Sequence, residues 1–94
     1  MSWTRESVLT EVRGVIERHT DEGRSVNEGT ELVADLGIDS LGVMEVVAEL
    51  EDRFGLHISD ADLRDVVTLG DVADAVHAKL AREGRAAVRG EEKP

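Results

Sequence analysis

The seven residues Asp35-Leu36-Gly37-Ile38-Asp39-Ser40-Leu41 place a serine at a loop-to-helix junction, directly after an aspartate and just ahead of an amphipathic helical pattern. A serine in that position has two chemical uses. It can act as a nucleophile, or it can accept a group that another enzyme attaches. The first use needs an adjacent base, a residue that orients the base, and donors for an oxyanion. The elbow pattern Gly-x-Ser-x-Gly would require glycine at positions 38 and 42, and only Gly42 is present. His19, His57 and His77 are far apart in the chain and show no triad pattern. The chain is therefore expected not to be an enzyme, with no catalytic residues of its own, and Ser40 is expected to be an acceptor. Asp39 suits a helix N-cap, because an aspartate there accepts backbone N–H bonds and complements the helix dipole.

Metal chemistry has little support. Asp60, Asp62 and Asp65 resemble the opening of a calcium loop, but a loop starting at Asp60 would have Arg64 at its fifth position and Asp65 where glycine is required. No metal site is expected.

Four helical stretches are legible, and no strand pattern competes with them. In the first, Val8, Val12, Ile16 and His19 recur at spacings of three or four, behind Thr4 as N-cap and Glu6 in the first turn. Thr20-Asp21-Glu22-Gly23 ends it. A long connection from about Arg24 to Asp39 follows, carrying isolated apolar residues Val26, Leu32, Leu36 and Ile38. A loop of that length inside a compact domain is expected to be functional and anchored by its own apolar contacts.

The second helix is predicted from Ser40 to Arg53, ending at Gly55. Val43, Val47, Leu50 and Phe54 form its inward face with Val46 at the flank, while Leu41, Glu45, Ala48, Glu49 and Asp52 form an outward stripe. Ser59 and Asp62 bracket a short third helix in the manner of a capping box, and Thr68 and Asp71 repeat that pattern for the last. Leu69, Val72, Ala73, Val76 and Leu80 give the last helix its apolar face. The fold class predicted is all-α: a bundle of three longer helices and one short third helix, with a long loop between the first two. Trp3 is expected to cover one end. The domain is predicted to span residues 1–82, with residues 83–94 a disordered C-terminal tail.

The 94-residue chain carries a net charge of −10 and no cysteine, so neither a disulfide nor a cysteine-based metal site supports it. Residues 26–76 hold 13 acidic and 2 basic side chains. Such a body repels phosphate backbones, which argues against nucleic acid and anionic membranes and favours partners with basic patches. No apolar run reaches the ~20 residues of a membrane span and no apolar leader opens the chain, so a soluble cytoplasmic monomer is expected.

From Leu36 to Val76 the order of apolar, acidic and turn positions, including Glu45, Glu49-Leu50-Glu51, Phe54-Gly55 and Thr68, resembles the acyl carrier protein family, whose attachment motif is similar to the run around Asp39-Ser40-Leu41. The resemblance implies a four-helix bundle of acyl-carrier type. It implies that a phosphopantetheinyl transferase moves 4'-phosphopantetheine from coenzyme A onto Ser40, with Asp39 as motif partner. The thiol of that arm then holds acyl groups as thioesters. Leu41, Glu45, Ala48, Glu49 and Asp52 would be the docking stripe for acyl-loading, condensing or tailoring enzymes with basic patches.

Three features depart from the family's fatty-acid members: Gly42 where many have a polar or acidic residue, Ser59 in place of a common proline, and a longer, more basic tail. They favour service in polyketide or related specialised-metabolite biosynthesis. The alternatives are a fatty-acid carrier, a peptidyl, aminoacyl or D-alanyl carrier, and, from a different class, an acidic helical adaptor without a prosthetic group.

Overall fold

A computed structural model of the chain describes residues 2–20 and 25–86. Three α-helices, α1 (Arg5–Arg18), α2 (Ser40–Phe54) and α3 (Leu69–Arg82), and one 3-10 helix at Ala61–Leu63 account for the regular structure. The short third helix of the sequence reading is thus a single 3-10 turn. Among the described residues strand-like pairing is limited to two isolated bridges, Trp3 with Ala86 and Glu31 with Thr68.

Each α-helix begins where a side chain can receive the N–H groups that no helical carbonyl reaches. Thr4 Oγ1 accepts from the Ser7 amide at 3.0 Å, and the Thr4 amide donates to Ser7 Oγ at 2.9 Å. Asp39 caps α2, and Thr68 and Asp71 cap α3 reciprocally, each bond 3.0 Å long. The amides of Thr68 and Val67, just ahead of α3, hold the Asp71 carboxyl below the usual carboxylate range. At the other end of α2, Gly55 takes a left-handed conformation (φ 63°) that glycine adopts without steric cost, and the helix stops.

Periodicity located the inward faces but misplaced their centres. In α1 the buried set is Val8, Leu9, Val12, Val15 and Ile16, broader than expected, and His19 is only half-buried because its ring turns to a carboxylate on α2. In α2 the buried residues are Val46, Leu50 and Phe54. Val46 is central rather than flanking, and Val43 and Val47 are partly exposed along a cavity. The helix is rotated relative to the predicted face because α1 closes only one side of it; the other side meets the long loop and the 3-10 turn across a gap.

The long loop is anchored as expected. Val26, Leu32 and Ile38 are buried, and Leu36 packs on the core. Backbone bonds tie the loop to the start of α3: Leu32 N–H donates to Val67 O (3.1 Å), Leu69 N–H to Thr30 O (2.9 Å) and Gly70 N–H to Glu28 O (2.9 Å). A Cβ at Gly70 would lie 3.0 Å from that Glu28 oxygen, so glycine permits the close approach. Arg5 on α1 bridges the same region, pairing with Glu28 at 2.8 Å and Asp74 at 2.7 Å.

Residues 83–86 correct the predicted domain boundary. Gly84 (φ 74°) turns the chain back, the Trp3 amide donates to Arg85 O at 2.9 Å, and Ala86 packs against the core. The Arg85 guanidinium donates to the carbonyls of Gly55 (3.0 Å) and Phe54. Arginine's side chain has no hydrophobic period, so the contact was invisible in the pattern. Trp3 covers the end of the bundle as predicted, edge-on to Phe54 with ring centroids 4.7 Å apart. The rest of the predicted tail, 87–94, lies outside the described residues, as do residues 21–24 at the predicted end of the first helix.

Candidate functional site

The junction into α2 is built from three consecutive residues with three different jobs. Ile38 is buried and fixes the chain to the core. Asp39, in an extended conformation, turns its carboxylate forward so that Oδ1 accepts the Gly42 amide at 2.8 Å. Ser40 follows as the first helical residue and is exposed. Gly42 allows this arrangement: a Cβ there would stand 2.7 Å from Ile38 Cγ2 and 3.3 Å from Asp39 Oδ1. Read from sequence as a departure from the family's fatty-acid members, Gly42 is in fact the residue that lets the anchor and the cap sit beside each other.

Two histidines of the described residues are turned to carboxylates. His19 Nε2 lies 3.0 Å from Glu49 Oε1, and His57 Nδ1 lies 3.3 Å from Glu51 Oε2. What the junction offers is a steady, exposed hydroxyl beside the positive end of a helix, an environment suited to a phosphate diester. These residues fit a phosphopantetheine attached at Ser40: the hydroxyl is accessible, and Asp39 already satisfies part of the helix start.

The predicted outward stripe is mostly as expected. Leu41, Glu45, Ala48 and Asp52 are exposed, Leu41 at 63%. Glu49 is not a free surface acid. It is half-buried and reaches back to α1, where Arg18 and His19 engage its two carboxylate oxygens, with Arg53 3.9 Å away. The Arg18 contact, and then His19, lower its pKa from the ordinary 4.5. Met44, which the sequence reading passed over, is 67% exposed and belongs to the stripe. The signal was present, since Met44 stands three residues after Leu41 and four before Ala48.

A cavity of about 360 Å³ opens between α2, the long loop, the 3-10 turn and α3. Its volume lies within the ~300–1,000 Å³ range of small-ligand sites. Ile38 and Val43, on either side of Ser40 in the chain, both line it, as do Val47, Leu63, Val66 and Val76. Asp62, one of the three aspartates of the superficial calcium pattern, belongs to this wall. Its Oδ2 accepts from Lys79 Nζ at 2.8 Å and from the Ser59 amide at 2.8 Å, and these donors, Lys79 foremost, hold the carboxyl well below the usual range. The expected reciprocity of Ser59 and Asp62 is present, as the Asp62 amide donates to Ser59 Oγ at 3.3 Å.

An all-α bundle with an exposed serine at the start of its second helix is the framework of a carrier. A family profile described as "Phosphopantetheine attachment site" matches residues 6–76. The acyl carrier protein of Thermotoga maritima is 35% identical over 79 residues, covering 82% of this chain and 96% of that protein. That of Rhodococcus erythropolis is 34% identical over 92 residues, covering 97% and 100%. A solved structure from Mycobacterium tuberculosis, assigned as an acyl carrier protein, superposes with a TM-score of 0.70 at 33% identity, covering 77% of this chain and 97% of that one. The chain belongs to the acyl carrier protein family, the carriers with a covalent 4'-phosphopantetheine. Among the described residues no helix is long and apolar enough to cross a membrane.

Proposed function

We propose that Ser40 bears the phosphopantetheine, that Asp39 is its motif partner, and that the carrier serves polyketide or related specialised-metabolite biosynthesis in the cytoplasm. The observation that supports the attachment site best is the exposed Ser40 hydroxyl at the first position of α2, immediately after a capping aspartate, in the Asp-Ser-Leu run. The bound arm supplies a thiol that holds an acyl group as a thioester. The protein supplies the position of the hydroxyl, a surface for partners and a cavity beside the attachment point. No base is required of it, because the transferase and the acyl-handling enzymes bring their own.

Leu41, Met44, Glu45, Ala48 and Asp52 are the docking surface on this reading, an apolar strip edged with acid that suits a partner pocket rimmed by Lys or Arg. Glu49 is reassigned from that surface to the α1–α2 contact. Gly42 and Ser59 favour the specialised pathway over housekeeping fatty-acid synthesis.

The test is intact mass after incubation with coenzyme A and a broad-specificity transferase. One phosphopantetheinyl addition is expected, lost in Ser40→Ala with helical content unchanged. Modification of the alanine variant, or none of the parent with several active transferases, would overturn the attachment site. Transfer assays with condensing enzymes of the two pathways then separate polyketide from fatty-acid service.

A further inference from the structure

The cavity is lined by aliphatic side chains except at three places, Glu31, Asp62 and Lys79. Lys79 is on the same face of α3 as Val72, Ala75 and Val76, one turn beyond the last of them, so its stem continues the apolar wall and its ammonium ends that wall. The Lys79 side chain is only 21% exposed and that of Asp62 17%.

The hydrogen bonding of this pair is unequal. Asp62 is fully engaged: Oδ2 takes Lys79 Nζ (2.8 Å) together with the Ser59 amide (2.8 Å) and hydroxyl (3.0 Å), and Oδ1 lies 3.5 Å from Arg82 Nη2. An ammonium has three N–H donors. Among the described residues that of Lys79 makes one hydrogen bond, to Asp62. Two donors therefore remain on a half-buried group at the edge of a cavity lined mostly by aliphatic side chains.

We propose that Lys79, held by Asp62, is a specificity determinant for the carried chain, donating a hydrogen bond to a carbonyl or hydroxyl oxygen on an acyl group that enters the cavity. The inference rests on the carrier reading above and names the class of cargo: an oxygen-bearing acyl chain in preference to a plain alkyl chain. A plain chain filling the cavity would cover the remaining donors without pairing them, and a buried unpaired donor is penalised. A chain with an oxygen at the right distance replaces the lost water. A carboxylate is a poorer match than a neutral oxygen. The charged groups on the wall are Glu31, Asp62 and Lys79, two acids against one base, so it does not attract an anion.

The test loads the holo-protein with octanoyl chains, saturated or carrying one keto oxygen stepped along the chain. Thioester exchange with excess dithiothreitol is measured for each, normalised to the same thioester on free pantetheine. In the parent, one keto position should survive about tenfold longer than the saturated chain. The advantage should vanish in Lys79→Met, which keeps the stem without the donor, and persist in Lys79→Arg. Equal protection of all chains in the parent, or an advantage kept by Lys79→Met, overturns the proposal. If Lys79→Met does not fold, the keto scan of the parent and the Nζ resonance of Lys79 with each chain decide it: no position-dependent protection and no Nζ shift reject it.

A parallel titration uses soluble N-acetylcysteamine thioesters of the same chains on the unmodified protein, followed by amide shifts of Val43 and Val76. A keto preference there without modification of Ser40 leaves the cavity inference standing and removes the attachment site. Modification of Ser40 with no keto preference does the reverse.

Discussion

The guanidinium of Arg85 donates to the main-chain carbonyl of Phe54, so the segment after α3 closes the end of α2. A second donation to Gly55 O at 3.0 Å supplies an acceptor at the point where the helix runs out of amides. Because the Arg85 carbonyl also receives the Trp3 amide, one residue joins the two ends of the described chain to the middle. Truncation after Ala86 should leave the melting temperature unchanged. Arg85→Ala should destabilise by about 1–2 kcal/mol through loss of charge-assisted bonds to carbonyls. Denaturant unfolding of both proteins checks this; an Arg85→Ala midpoint equal to the parent's would show the clamp contributes nothing.

Gly42→Ala tests the junction below Ser40. Helix propensity alone predicts a gain of roughly 1 kcal/mol for alanine over glycine. The 2.7 Å approach to Ile38 Cγ2 opposes it, and overpacking typically costs about 1–3 kcal/mol. A net loss of about 1 kcal/mol is expected. Ile38→Leu, which removes the β-branch, should recover it in the double variant. Stabilisation by Gly42→Ala alone would show that Ile38 yields freely.

Glu45 and Glu49 should behave differently although they are one turn apart. Glu45→Lys should slow transfer to and from partner enzymes, an effect that shrinks at high salt, with stability preserved. Glu49→Gln should lower stability, by no more than about 1 kcal/mol for a pair this exposed, and should leave docking largely intact. Stopped-flow transfer beside thermal unfolding separates the two effects. By contrast Leu50→Ala, at a site 1% exposed, should destabilise by roughly 2–5 kcal/mol.

Acid should act through the carboxylates whose pKa values folding depresses. Asp62 and Asp71 fall below their ordinary 3.8, and Glu49 below 4.5. The unfolded chain therefore binds protons first as pH drops. Stability from these groups is complete above the unfolded values and is lost progressively below about pH 5. Lys79 is the first cause for Asp62, so Asp62→Asn should flatten the acid limb of a stability–pH curve. An unchanged limb would assign acid sensitivity elsewhere.

Near neutral pH the acidic body repels itself. Salt or millimolar magnesium should raise the melting temperature by screening. A fall in melting temperature with moderate salt would mean that the ion pairs of Arg5, Arg18 and Lys79 outweigh the repulsion.

Much of this was legible because it is local. Thr4, Asp39, the Thr68–Asp71 pair and Gly55 mark helix ends through bonds between residues a few positions apart, and sequence displays such spacings directly. The place of Ser40 at the start of α2 was legible for the same reason. Val46 was misjudged because periodicity gives the width of an apolar face but not which neighbour closes it; that depends on where α1 and the loop come to rest. Glu49 looked like a docking acid because its partner, Arg18, is 31 residues away in the chain. Arg85 is equally distant from Phe54. Gly42 stood out only as a departure from the family's fatty-acid members because its use is steric, and the crowding by Ile38 exists only once the junction is folded.

The backbone bonds from the long loop to the start of α3 also decide how the protein can breathe. Glu28, Thr30 and Leu32 are stitched to Gly70, Leu69 and Val67 through main-chain atoms, so this wall and α3 travel as one piece. The opposite wall, α2, faces that piece across the cavity through valine and leucine side chains, which slide without breaking a directed bond. Swelling around a larger guest then becomes a hinge of α2 about its two ends, Asp39 and Gly55. In hydrogen exchange, the amides of Leu32, Leu69 and Gly70 should stay slow whatever the guest, while any quickening is confined to the turns at either end of α2. Equal quickening across the stitched wall would mean that the bundle expands as a whole.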